Sequence, residues 1–156
     1  MLLKNKLAFI TGSNRGIGFS ILEKFASNGC NIIAHSRINN IDFTKKLKTL
    51  EKKYNVRIKN INFDILDSES MKSEVYKIFK EKIPIDILVN SAGIIHGGLF
   101  QMSPIKDIRK VFDVNFFGLI ELTQMMSKYM TRFKNGNIIN IASVAGLDLS
   151  TGNCAY

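Results

Sequence analysis

Leu7-Ala8-Phe9-Ile10-Thr11-Gly12-Ser13-Asn14-Arg15-Gly16-Ile17-Gly18 is the stretch that decides how this chain folds. Leu7–Thr11 is a short apolar run that reads as a buried strand, and the Gly and Ser after it take the chain into a turn. Apolar residues then recur at Ile17, Ile21, Leu22, Phe25 and Ala26 with helical spacing, until Asn28-Gly29 supplies a stop. A helix therefore begins inside the glycine segment. Glycines at such a corner let the backbone turn tightly and approach a ligand, while the N–H groups of the helix start point at an anion. Placed between a first strand and a first helix, the segment Thr11, Gly12, Ser13, Asn14, Arg15, Gly16, Ile17 and Gly18 reads as a cradle for a dinucleotide's pyrophosphate.

The rest of the chain repeats the strand–helix alternation. Asn31–His35 reads as a second strand, followed by a charged helix from about Asp42 to Tyr54 with Phe43, Leu47 and Leu50 turned inward. Arg57–Phe63 alternates as a third strand, and a helix from Ser68 to Phe79 follows, capped by Asp67 or by Ser68 itself. Ile85–Val89 reads as a fourth strand. A long helix is expected from about Pro104 to Phe133, broken near Asn115. Its stretch Val111–Met130 is apolar almost all round, so it must bury more than one face, against the sheet and against a partner subunit. Asn137–Ala142 reads as a fifth strand. Strands alternating with helices of this length imply βαβ units with right-handed crossovers. The expected fold is α/β, a doubly wound parallel sheet forming a single domain over 1–156.

Composition excludes several classes. The chain has 156 residues, 46% of them hydrophobic, which disfavours disorder and suffices for one core. No apolar run approaches the roughly 20 residues of a membrane span, and the start lacks the ~7–15 apolar residues of a secretory leader. A cytoplasmic protein without membrane association is expected. Cys30 and Cys154 are too few for a disulfide framework and read as reduced thiols. His35 and His96 show no metal-ligand spacing, so both read as structural and no metal is expected. With 22 Lys+Arg against 13 Asp+Glu the net charge is +9, which favours anionic partners in general. The basic residues are scattered and not interleaved with aromatics, so no nucleic-acid partner is expected.

The end of the second strand bears on the coenzyme. A site for the unphosphorylated ribose usually carries an acid there, about 20 residues after the glycines. This chain has Ala34-His35-Ser36-Arg37, and the next acid is Asp42. Arg37 can hold a 2′-phosphate as a bidentate donor, and Arg15 offers a second cation, so NADP(H) is the expected coenzyme.

Five ordered motifs together resemble the short-chain dehydrogenase/reductase family: T-G-x-x-x-G-x-G at Thr11–Gly18, Asn90-Ser91-Ala92-Gly93 in place of N-N-A-G, Asn115 in the long helix, Ser143 after the fifth strand, and Tyr156 thirteen residues beyond Ser143. The resemblance runs from Leu3 to Tyr156. It implies a Rossmann-type fold and an NADPH-dependent oxidoreductase that reduces a carbonyl to a secondary alcohol. By the same resemblance Tyr156 donates the proton, Ser143 hydrogen-bonds the substrate oxygen, and Asn115 holds a water of the proton relay. Asp64, with the adjoining Ile65, would face the adenine, while Asn90, Ala92 and Gly93 would line the adenosine ribose. A hydroxyl about 3 Å from a developing alkoxide stabilises it, and bringing a tyrosine pKa from near 10 to near 7 takes roughly 4 kcal/mol of differential stabilisation. Among subgroups the pattern looks most like the 3-oxoacyl-acyl-carrier-protein reductases, through Asn90–Ile94 and Asn137–Ser143, although sugar and polyol reductases share these phrases. A carrier-bound or small-molecule carbonyl substrate is implied. Arg132 and Lys134 are the candidate contacts to an acidic carrier, or equally well favourable charges at a helix C-terminus.

The resemblance breaks at one point. The family pattern is Y-x-x-x-K, and its lysine would fall at position 160, beyond Tyr156. The chain as written is therefore expected to be truncated after the fifth strand, poorly soluble and without turnover. It would be a homo-oligomeric enzyme when complete, or alternatively an inactive NADP(H)-binding fragment or regulatory partner.

Overall fold

The computed structural model describes residues 1–147. Its elements follow in the order β1 (Leu7–Ile10), α1 (Gly16–Ser27), β2 (Asn31–Ser36), α2 (Ile41–Tyr54), β3 (Ile58–Asn62), α3 (Ser68–Phe79), β4 (Ile87–Asn90), α4 (Ile105–Phe112), α5 (Leu119–Thr131) and β5 (Asn137–Asn140). The strands form one sheet in the order β3-β2-β1-β4-β5, and every neighbouring pair is parallel. The order reverses between β1 and β4, the switch point where open α/β sheets place their ligands.

Strand alternation sorts the core into two layers. Phe9, Ile33 and Leu88 point to one side of the sheet and pack with Met71 and Val75 of α3 and Leu122 and Met126 of α5. Their strand neighbours Ala8, Ile10, Ile32, Ala34 and Val89 point the other way, onto Leu22 and Ala26 of α1 and Phe43, Leu47 and Leu50 of α2. Strands buried on both faces carry near-continuous apolar runs, as these do.

Local chemistry sets the helix ends. The Asn40 side chain accepts from the N–H groups of Asp42 and Phe43 at 2.8 and 3.1 Å and starts α2. Asp67, one of the two candidate caps, starts α3 by accepting from Ser70 N–H at 3.0 Å. Asn28 follows α1, and Gly29, with φ 85°, turns the chain into β2.

The long helix departs from expectation. It does not break near Asn115; α4 and α5 are joined by a π-helical turn, Asp113–Gly118, that contains Asn115. Such turns fit one extra residue into a continuous helix and are frequent at functional sites. The face expected to meet a partner is open in the single chain, with Phe112 and Phe116 each 52% exposed and Phe117 60% exposed. β5 is the outer strand among the described residues, and Ile138 and Ile139 are 40% and 41% exposed.

Asp86 ties the lower edge of the sheet, at the strands' N-terminal ends. Its carboxylate accepts from Lys6 Nζ, Leu7 N–H and Asn135 Nδ2 at 2.8–2.9 Å. Its backbone N–H and C=O bond to Leu7 and Asn137. No described helix is long and apolar enough to cross a membrane, and the described residues hold no cluster of three or more His, Cys, Asp or Glu placed to share a metal ion. Burial raises the Cys30 thiol to about 11, which leaves it protonated and unreactive at neutral pH. Cys154 lies outside the described residues.

Candidate functional site

The glycine turn leaves β1 at the upper edge of the sheet. Thr11 is fully buried, and its side chain does not face the turn's open side. Its Oγ1 accepts from Ser91 and Ala92 N–H at 2.9 and 3.0 Å and lies 3.3 Å from the Val89 carbonyl. Threonine thereby bolts the turn to the loop after β4. Gly12 has φ 62°, and a Cβ there would lie 2.7 Å from Ala92 Cα, so both conformation and space demand glycine. At Gly18 a Cβ would meet the Gly12 carbonyl at 2.3 Å, so α1 starts in contact with the turn it leaves. Ser13 is buried as well, and its N–H and hydroxyl both donate to the His35 carbonyl, at 2.9 and 3.1 Å.

Asn14, Arg15, Gly16 and Ile17 are exposed. The start of α1 has no side-chain cap and no acid in its first turn, and a Cβ on Gly16 would meet nothing within 4 Å. An uncapped helix start under open space, with no acid in its first turn, fits a dinucleotide's phosphates.

The loop after β4 forms the neighbouring wall. Asn90 is 3% exposed and donates from Nδ2 to Thr123 Oγ1 at 2.9 Å and to Asn140 Oδ1 at 2.8 Å, linking β4 to α5 and β5. Its own Oδ1 is buried without a partner. Gly93 lies so close to Asn115 that a Cβ there would be 3.3 Å from Asn115 Oδ1. Asn115 places both ends of its amide on Ile94, accepting from its N–H and donating to its C=O, each at 2.8 Å. Its side chain therefore braces the β4 loop, and the π turn aims it there.

The remaining candidates also lie at the upper edge, beyond the ends of their strands. Arg37 is exposed just after β2, with Arg15 exposed in the glycine turn. Asp64 follows β3 and accepts from Leu66 N–H at 3.0 Å. Ile65 is buried in the core and presses on the π turn, where a Cβ on Gly118 would stand 2.2 Å from its Cγ2. Ser143, after β5, accepts from Ala145 N–H at 3.1 Å, which leaves its own O–H free to donate. Tyr156 lies outside the described residues. His96, further along the loop after β4, pairs with Ser103 Oγ at 3.3 Å.

His35, read from its spacing as structural, is buried with both ring nitrogens in hydrogen-bond reach of the backbone. It sits beneath the glycine turn, with Nδ1 3.3 Å from Gly12 N and Nε2 3.0 Å from the Phe63 carbonyl. Burial pushes its pKa down to about 4, against smaller opposing effects of the Phe63 hydrogen bond and Asp64. The sequence signal for this placement is a polar ring directly after the apolar run Ile32-Ile33-Ala34, still within the strand.

Sheet order, glycine turn and clustered upper-edge residues define a Rossmann-type α/β protein. A family model described as short chain dehydrogenase matches residues 6–156, and the chain belongs to the short-chain dehydrogenase/reductase family. It is 34% identical over 155 residues to a 3-oxoacyl-acyl-carrier-protein reductase of Aquifex aeolicus, covering 99% of this chain and 62% of that protein. A reductase of the same name from Thermotoga maritima is 33% identical over 158 residues, covering 100% and 63%. Among solved structures, L-sorbose reductase from Gluconobacter frateurii, complexed with NADPH and L-sorbose, superposes with a TM-score of 0.89 at 25% identity, covering 98% of this chain and 58% of that one. The chain thus spans about three-fifths of the length of the relatives it matches.

Proposed function

We propose that this chain carries the coenzyme-binding part, and the first catalytic residues, of a cytoplasmic NADPH-dependent oxidoreductase that reduces a ketone to a secondary alcohol. The observation that carries this reading is the open, uncapped start of α1 at Gly16, with Arg15 at its N-cap position, Arg37 exposed after β2 and no acid at the end of that strand. Amides at the helix start would hold the pyrophosphate, and the two guanidinium groups would hold the 2′-phosphate. Asp64 and Ile65 would border the adenine, and Asn90, Ala92 and Gly93 the adenosine ribose.

The coenzyme, when bound, supplies the hydride. Ser143 has a free O–H to donate to the carbonyl oxygen as charge develops on it, while Ala145 N–H fixes the hydroxyl's position. Tyr156 is assigned the proton donor by its spacing from Ser143. Asn115 braces Ile94 with one hydrogen bond from each end of its side chain, which leaves a lone pair and an N–H for the relay water assigned to it.

The substrate class we favour is a 3-oxoacyl group on an acidic carrier protein, supported by the relatives' names and by the net charge of +9. A sugar ketone is the second reading, supported by the L-sorbose reductase likeness. Fluorescence titration with NADPH and NADH tests the coenzyme assignment. NADPH is expected to bind at least about tenfold more tightly, and Arg37→Ala to remove most of that preference. Equal affinity, or tighter NADH binding, would defeat it.

A further inference from the structure

Among the described residues His35 is the one buried imidazole, and its hydrogen bonds divide the amides of the glycine turn into two sets. Nε2 lies 3.0 Å from the Phe63 carbonyl, which can only accept, so Nε2 carries the ring proton. Nδ1 is then a bare acceptor, and Gly12 N–H donates to it at 3.3 Å. The His35 carbonyl takes the Ser13 N–H and hydroxyl. Both Gly12 and Ser13 amides are thus drawn down onto β2, and the uncapped amides of the α1 start are left facing the open side. The Phe63 ring lies against the imidazole with centroids 4.0 Å apart and limits its rotation.

We infer that His35 is a positioning residue of the dinucleotide site: as a hydrogen-bond acceptor it holds the Gly12 amide inward and so keeps the turn in its ligand-ready shape. The inference rests on the coenzyme reading proposed above. Burial keeps the ring neutral throughout the ordinary pH range, as an acceptor at Nδ1 requires. Asp64, in the loop after β3, is the charged group acting on it, while the turn presents only backbone groups and the Ser13 hydroxyl.

Two substitutions separate the ring's two bonds. In His35→Asn the side-chain oxygen falls near the Nδ1 position and can still accept from Gly12, but nothing reaches Phe63. In His35→Gln the amide nitrogen falls near Nε2 and can still donate to Phe63, but the Gly12 bond is lost. NADPH affinity is measured at pH 7.5 beside the melting temperature of each protein. A turn that is competent only part of the time binds proportionately more weakly, so H35Q is expected to lose about tenfold in affinity and H35N less than about threefold, with similar losses of melting temperature. Affinities that simply follow melting temperature, or an H35Q protein that binds as the parent does, overturn the inference. Nitrogen-15 NMR of the parent imidazole provides a check needing no variant: a neutral Nε2–H tautomer supports it, and a proton on Nδ1 overturns it. A parent protein that shows this tautomer but binds neither NADPH nor NADH defeats the coenzyme reading instead.

Discussion

Gly12 and His35 meet at a corner where the backbone has little latitude. A methyl group on Gly12 would have to fit at a φ of 62° and 2.7 Å from Ala92 Cα, and neither the turn nor the β4 loop can move without loosening Thr11. Gly12→Ala is expected to cost about 3 kcal/mol, read from the shift of the urea midpoint; a loss below about 1 kcal/mol would mean the β4 loop yields freely. His35 gives a second residue-level expectation, this time in pH. Its folded-state pKa of about 4 lies below the unfolded value of 6.5, so in that window the unfolded chain binds a proton that the fold excludes. Stability is full above pH 6.5 and falls on acidification towards pH 4, by about 3 kcal/mol for a shift of this size. Unfolding curves at pH 7 and pH 4 should therefore show a steeper loss in the parent than in His35→Asn. Matching losses would place the imidazole in a wetter setting than the structure gives it.

At the scale of elements, the π turn and the β4 loop act as a pair. Asn115→Ala removes both partners of the Ile94 peptide groups and is expected to destabilise by about 2 kcal/mol, with faster amide exchange at Ile94 as the local signature. Unchanged protection at Ile94 would show that the brace is dispensable. Most of the architecture here was legible in the sequence, since apolar runs bounded by Gly and Asn place every strand to within about two residues of its observed ends. Helix starts were legible where a side chain marks them, as Asp67 does. The π turn was not, because one inserted residue shifts the apolar pattern by a fraction of a turn, and a stretch apolar all round conceals the shift. Nor was the work of Thr11, whose amide partners lie 80 and 81 residues further along the chain. Adjacency of that kind exists only after folding. For the same reason Asn115 was visible as a motif residue while its grip on Ile94 was not.

For the molecule as a whole, the exposed phenylalanines of the long helix and the isoleucines of β5 form two apolar surfaces on one chain of net charge +9. Surfaces of this type lead to association. In sedimentation velocity the average mass is expected to rise with protein concentration, and Ile139→Lys to reduce that rise at the β5 edge. Concentration-independent monomers would show that the charge outweighs both surfaces. The described residues assigned to the coenzyme, with Ser143, lie at one rim of the sheet, whereas Asp86 sits at the opposite rim and gathers Lys6, Leu7 and Asn135 around one carboxylate. The Asp86 cluster therefore adds to durability at a pole remote from the chemistry. Alterations around Asp86 should change how long a molecule survives while hardly touching what it recognises, so evolution, or an engineer, can tune lifetime and specificity one at a time.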